Sequence, residues 1–339
     1  MRILFISHGL HPDYQNDTVF HGLKALYGKN VSENVDLWYM YSDIATPEKA
    51  ELPCSKGFTL YGNLSPRLKN IIPPREIQNR LKTHYFDYII YGSIRHCHAY
   101  FGLVQRYYAK EKIIFIDGDD RTNVYTYFLN KGFYFKRELT TLEKKPDRAI
   151  FPISFGIPKE KILKQVPPKT IMLANSIPGE LSTYIYNQEK DYYADYAKSC
   201  FALTKKKGGW DCLRHYEILA NGCIPLFIDL ASCPAETLHA FPKKQILHVK
   251  RLFARKILTA KEIHDLAVGL LNYTRRHLTT ERVARYLLTA VKNGTIGKHH
   301  FSLYTPFTRI IYKILNAPFK FVREFARRRL NLPPTPETA

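Results

Sequence analysis

Apolar positions along this chain fall into short runs separated by segments with helical spacing. "RILFIS" (2–7) is an apolar run of strand length. "DTVFHGLKALYG" (17–28) repeats its apolar positions every three to four residues and closes at Gly28, as a helix does. The alternation continues through a strand at 35–41, an aperiodic proline-bearing stretch at 44–74, a helix at 75–86, a strand at 87–92, a helix at 96–109, and strands at 112–117 and 147–154. "IPKEKILKQVPPK" (157–169), charged and with three prolines, predicts a linker. A second set then begins: strand 170–175, helix 187–198, strand 200–204, helix 210–221 and strand 223–230, with mostly helical spacing from 234. Strands alternating with helices predict an α/β protein with parallel sheets covered on both faces, and the length predicts two domains. The expected division is 1–156, a linker at 157–169, a second domain at 170–306, and a basic tail at 307–339.

Composition narrows the partners. The chain is 45% hydrophobic, enough for a core in each half, and its formal net charge is +21, from 51 basic and 30 acidic residues. Such an excess suits a polyanion: nucleic acid, an anionic membrane surface, or a phosphorylated small molecule. No apolar run approaches the ~18 residues that span a bilayer. The opening "MRILFISHGLHPD" is too short in its apolar part for a signal peptide, so a cytoplasmic protein is expected. Six cysteines without close C-x-x-C pairs predict reduced core thiols and no zinc site.

Candidate chemistry concentrates in "KKKGGWDCLRHYEILANGCIPLFIDL" (205–230). A strand ending at 204 leads into a cationic, glycine-bearing turn and then a helix. Ligands of parallel sheets bind at such turns, and unpaired N–H groups at a helix start attract anions. Lys205, Gly208 and Gly209 are therefore candidates for a phosphate or pyrophosphate. On the helix, Cys212, Leu213, Tyr216, Leu219 and Ala220 form an apolar stripe, while Arg214, Glu217 and Asn221 lie opposite. Arg214 offers a fork for phosphate and Glu217 an acceptor for sugar hydroxyls.

The run from Arg214 through Glu217 and Gly222 to Ile224-Pro225 resembles the donor-site segment of GT-B glycosyltransferases. It is especially similar to the exostosin-like branch, with its R-x-x-E-x-x-x-x-G-x-I-P pattern. "Asp13-Tyr14…Phe20-His21-Gly22-Leu23" and "Ser232-Cys233-Pro234" resemble uncharacterised bacterial and viral members of such a group. The match centres on residues 200–235. It implies two Rossmann-like domains facing across a cleft and transfer of a sugar from a nucleotide-sugar donor to a glycan or lipid-linked acceptor. Glu217 would take the ribose, Arg214 or Lys205 the diphosphate, and Ser232 would join the donor site, with no metal or other cofactor expected. The second acidic residue of the retaining pattern would fall at 225, which is Pro225, so the stereochemistry stays open. The first domain would supply the acceptor site and a general base. His8 and Asp13 are the candidates, with Arg95-His96 and Asp117–Asp120 at neighbouring strand ends.

Two alternatives bear on this, and the tail adds a further expectation. Asp117-Gly118-Asp119 has the form of the D-x-D by which GT-A transferases hold a divalent metal, although Asp and Gly also dominate ordinary turns. A nucleic-acid-binding protein would suit the charge, but no binding module is visible and no nucleic-acid partner is expected. The tail from Phe307 to Leu330 is basic and amphipathic. Its 307–317 part is expected to dock on the protein, 319–330 to meet an anionic membrane surface or stay mobile, and 331–339 to be disordered.

Overall fold

A computed structural model describes residues 1–44, 58–141, 149–255 and 258–294. Two parallel sheets organise them. The first has six strands in the order β2-β1-β3-β4-β5-β6: β1 Ile3–Ile6, β2 Val31–Glu33, β3 Tyr88–Tyr91, β4 Ile113–Asp117, β5 Phe133–Lys136 and β6 Ile150–Pro152. The second has three in the order β7-β8-β9: β7 Ile171–Leu173, β8 Ser199–Thr204 and β9 Ile224–Phe227. Every ladder is parallel, as the alternating sequence predicts.

Side-chain alternation along the first sheet separates two cores. Ile3, Phe5, Ile90, Ile114 and Phe135 face helix α1 (Tyr14–Tyr27), while Leu4, Ile6, Ile89, Tyr91 and Phe115 face helices α2 (Pro74–Lys82) and α3 (Phe101–Tyr107). On the second side, α4 (Glu189–Lys198) follows β7 and α5 (Leu213–Ala220) links β8 to β9. Helices α6 (Lys243–Ala254), α7 (Ala260–His277) and α8 (Thr280–Asn293) complete the described chain. Helix α7 packs on α5, whereas α8 returns to α1 beside the first sheet. The two helices meet so closely at Gly22 that any Cβ there would overlap the Thr280 carbonyl. The range expected for the second domain therefore includes a helix lying on the first sheet.

Two sequence expectations fail in instructive ways. Residues 35–41 were expected as a strand, but the second strand is Val31–Glu33 and Trp38–Met40 is a short 3-10 turn. The apolar run buries Tyr39, Met40 and Tyr41 in the core through that turn rather than a ladder. Strand β5 was not anticipated. It is an all-buried Phe-Tyr-Phe-Lys run with no alternation to mark it, and its Lys136 is buried with Asp117 as ion-pair partner. The tail 307–339, including the membrane candidate 319–330, lies outside the described residues.

Candidate functional site

The carboxyl ends of both sheets border a cleft of about 640 Å³. This is where open parallel sheets place ligands. From the first sheet, the loop after β1 contributes His11 and Asp13, the loop after β3 Arg95 and His96, and the loop after β4 Asp119 and Asp120. From the second come Lys207, Gly208, Gly209, Arg214 and Glu217 on the β8–α5 turn and helix, with Tyr184 and Tyr192.

Arg214 dominates the second wall. It projects from the first turn of α5, and its Nη2 donates to the Tyr184 hydroxyl at 3.2 Å. Its Nη1 is enclosed but has no hydrogen-bond partner, and the residue forms no ion pair among the described residues. Lys207 and Arg214 lie 5.7 and 5.5 Å from the centroid of the Tyr184 ring. Burial alone would raise the Tyr184 phenol, but the Gly179 amide, Arg214 and Lys207 outweigh it and hold it below its ordinary value.

Glu217 sits one turn further along, almost fully buried. Its carboxylate accepts from Thr59 Oγ1 at 2.5 Å and from the Tyr192 hydroxyl at 2.8 Å. Burial raises its pKa above the ordinary carboxylate range, opposed by those two hydroxyls and by Arg214. The helix face carrying Arg214 and Glu217 is thus turned to the cleft rather than to bulk water. Helix α5 is buried on its other sides as well, with Ile218 packed against Ala174, Tyr196, Ala202 and Cys223.

The glycine turn is held by carboxylates of the first side. Both Glu138 oxygens accept backbone N–H groups at 3.0 Å, one from Trp210 and one from Asp211. Side chains at Gly208 or Gly209 would collide with Asp120 and Glu138. Arg137 ties the arrangement together, donating to the Asp211 carbonyl at 2.6 Å, to Glu138 at 2.9 Å and to Asp120. The two glycines therefore serve a close approach of protein to protein. The Trp210 and Asp211 amides that the sequence offered to phosphate are taken by Glu138. Of the lysines, Lys207 lines the cleft. Lys205 stands beside Gly179 and does not, and Ser232 is exposed away from it.

On the facing wall, Asp13 caps α1. Its Oδ1 accepts from the amides of Gln15 and Asn16, and its Oδ2 from Ser93 Oγ at 2.6 Å. Beneath it, burial pushes Asp17 up to about 8, with the neighbouring Asp13 charge adding to the effect. Asp17 therefore holds its proton at neutral pH. His8 does not line the cleft. Its ring centroid lies 4.4 Å from that of His11 and 5.3 Å from that of His96, both of which do. Burial, and then His11, lowers His8 to about 4, and its Nδ1 accepts the Leu10 amide at 3.0 Å. Neutral His8 thus carries its proton on Nε2. His11 is complementary: its Nδ1 faces the Pro12 carbonyl at 3.1 Å, which can only accept, so the neutral ring has its lone pair on Nε2.

Asp117 is spent structurally. It is fully buried and receives Arg95 at 2.8–3.2 Å, Lys136 at 3.2 Å and the Tyr134 hydroxyl, while Asp119 is clasped by Arg121 at 2.7 Å. Among the described residues no cluster of three or more His, Cys, Asp or Glu has metal-holding geometry.

Several of these residues gave no signal in the sequence. Thr59 and Phe58 lie in the stretch read as irregular, and Tyr184 belongs to the β7–α4 connection. Arg137 and Glu138 follow the strand that was not anticipated.

The sequence matches no protein-family model and no curated protein. Solved structures of similar outline include an alpha-glucosyltransferase in complex with UDP and a 13-mer DNA containing a central A:G mismatch. It shares 10% identity over 86% of this chain and 100% of its own, with a TM-score of 0.47. A glycosyltransferase from Rickettsia africae shares 9% over 86% and 97%, with a TM-score of 0.47. Anabaena HepE in complex with UDP and glucose shares 8% over 87% and 100%, with a TM-score of 0.42. At such identities and TM-scores these likenesses transfer no residue role and no substrate, and the chain stands as an α/β protein with two parallel sheets opening on one cleft.

Proposed function

We propose that this protein is a glycosyltransferase that takes a sugar from a nucleotide-sugar donor in the cleft and passes it to a hydroxyl acceptor on a glycan or lipid-linked molecule. The observation that supports it best is Arg214: a guanidinium whose enclosed Nη1 has no hydrogen-bond partner and which forms no ion pair among the described residues, on a cleft wall shared with Lys207. An enclosed guanidinium N–H without an acceptor is costly, and a bound diphosphate removes that cost. Charge develops on the leaving diphosphate during transfer, and Arg214 and Lys207 stand where they would stabilise it. Glu217, one turn along the same helix face, would accept ribose hydroxyls. The R-x-x-E spacing that resembles the GT-B donor segment points the same way.

The facing wall would hold the acceptor. Asp13 lies above a protonated Asp17, and His11 offers Nε2 as a second acceptor of the hydroxyl proton. Either could receive the proton as the sugar–oxygen bond forms and the bond to phosphate breaks. The saturation of Asp117 by Arg95, Lys136 and Tyr134 speaks against a D-x-D metal site, so diphosphate neutralisation falls to the basic side chains.

A thermal-shift panel of UDP, GDP, CMP and ADP sugars beside a short oligonucleotide tests this. Stabilisation by one nucleotide-sugar class and none by the oligonucleotide is expected. Stabilisation by the oligonucleotide alone would contradict it.

A further inference from the structure

Thr59 is a β-branched residue held at φ +64°, fully buried, in a segment reached from the first sheet. Left-handed backbone is strongly disfavoured for such a side chain, and persists only where the surroundings impose it. They do so here. The Thr59 amide donates to Glu189 Oε1 at 2.7 Å, its carbonyl accepts from Asn63 at 2.6 Å, and its hydroxyl lies 2.8 Å from the Tyr193 hydroxyl and 2.5 Å from Glu217 Oε1. The preceding residue, Phe58, lines the cleft and stacks on Tyr192 at 5.8 Å between ring centroids. Tyr192 in turn donates to the other Glu217 oxygen. A strained residue of the first side therefore fixes a carboxylate of the second.

We infer that Thr59 is a positioning residue of the nucleotide site: its hydroxyl, with that of Tyr192, aims the Glu217 carboxylate at the ribose. This rests on the donor site proposed above. Each Glu217 oxygen has one lone pair committed to a protein hydroxyl and one left for a ligand hydroxyl, so the two donors orient the carboxylate without filling it. The groups that set its charge come from every side. Arg214 lies on its own helix and Cys212 at that helix's N-cap, and Tyr192, Tyr193, Tyr196 and Glu189 belong to α4, where Lys161 pairs with Glu189 at 2.9 Å. Of these, Arg214 and the Thr59 and Tyr192 hydroxyls favour the anion, against burial and Glu189. Without the Thr59 hydroxyl the carboxylate protonates at higher pH and loses one of its two orienting bonds.

The test compares wild type with Thr59→Val and Thr59→Ser, titrating the nucleoside diphosphate that binds best and, separately, inorganic pyrophosphate, across pH 5–8. Val keeps the shape and loses the hydroxyl, while Ser keeps the hydroxyl. Thr59→Val is expected to weaken nucleoside diphosphate binding roughly 3- to 10-fold and to move the acid limb of its pH profile upward. Ser should restore both, and pyrophosphate binding should be unchanged. Unchanged or tighter nucleotide binding in Thr59→Val, with Glu217→Gln still impaired, overturns the role of Thr59 while leaving the donor site standing. Loss of pyrophosphate binding as well, or no rescue by Ser, makes Thr59 merely structural and also overturns it. A wild-type protein that binds pyrophosphate but no nucleotide overturns the donor site itself.

Discussion

Arg214 and Asp117 are both charged groups withdrawn from water, yet removing them has opposite consequences. Arg214→Ala takes away a cation with no close ion pair among the described residues, so the fold loses little and a ligand loses its anchor. Nucleoside diphosphate affinity is expected to fall by roughly 1.5–3 kcal/mol, the usual range for a hydrogen bond to a charged group, with the melting temperature little changed. Asp117→Asn leaves buried Lys136 and part-buried Arg95 facing a neutral group. Breaking one side of a buried pair costs about 3–5 kcal/mol, so denaturant unfolding should show a large loss of stability. If instead Asp117→Asn left stability intact, and transfer by the wild type were lost in chelator and restored by Mn²⁺, the D-x-D alternative would regain its place. The sequence exposed Arg214 and Glu217 because the R-x-x-E spacing puts both on one helix face. It could not expose Thr59, whose role depends on a backbone conformation and on partners far away in the chain. Nor could it choose Lys207 over Lys205, because which lysine faces a cleft depends on the exact path of a turn.

At the scale of elements, the β8–α5 turn is where the two sheets are joined. Its amides hold Glu138, its glycines admit Asp120 and Glu138, and Arg137 reaches the Asp211 carbonyl. Gly209→Ala puts a methyl group into the Glu138 and Asp120 carboxylates. The substitution is expected to lower the melting temperature and to weaken nucleotide binding together, because Lys207 and Arg214 flank the displaced turn. A binding loss with no change in melting would show that the glycines meet a ligand instead. The sequence found the strand, turn and helix here, since an apolar run, two glycines and an apolar stripe mark them. It missed β5 for want of alternation, and so missed Arg137 and Glu138. A phosphate role for Gly208-Gly209 looked sufficient only because the carboxylates behind them were out of view.

For the whole molecule, buried titratable groups set the response to pH. Burial raises Asp17 to about 8 and Asp211 to about 7, and lowers His8 to about 4 and His215 to about 3. A raised acid keeps a proton in the native state that the unfolded chain releases above about pH 4, so its contribution falls as pH rises towards the native value. A lowered histidine does the reverse, and its contribution grows up to the ordinary value of 6.5. Between about pH 4 and 6.5 these opposing pairs offset one another. Above 6.5 only the acids remain, so stability should decline between about pH 6.5 and 8, by at most ~1.4 kcal/mol per pH unit for each proton. Urea unfolding at pH 6 and pH 8 checks this, and a rise over that interval would contradict it. The basic tail supplies a separate expectation from sequence alone. Removing 319–339 should leave nucleotide binding intact and reduce sedimentation with vesicles containing anionic lipid, and full-length protein that ignores such vesicles at low salt would end the membrane proposal.

The central claim is that the cleft receives a nucleotide diphosphate on Arg214. Isothermal titration of the full chain with UDP, GDP, ADP and CDP, repeated on Arg214→Ala, tests it most directly. One nucleotide should bind with a 1:1 stoichiometry in EDTA, and the Arg214→Ala protein, melting as wild type does, should bind it at least about tenfold more weakly. Binding of none of the four, or equal binding by both proteins, would contradict the claim.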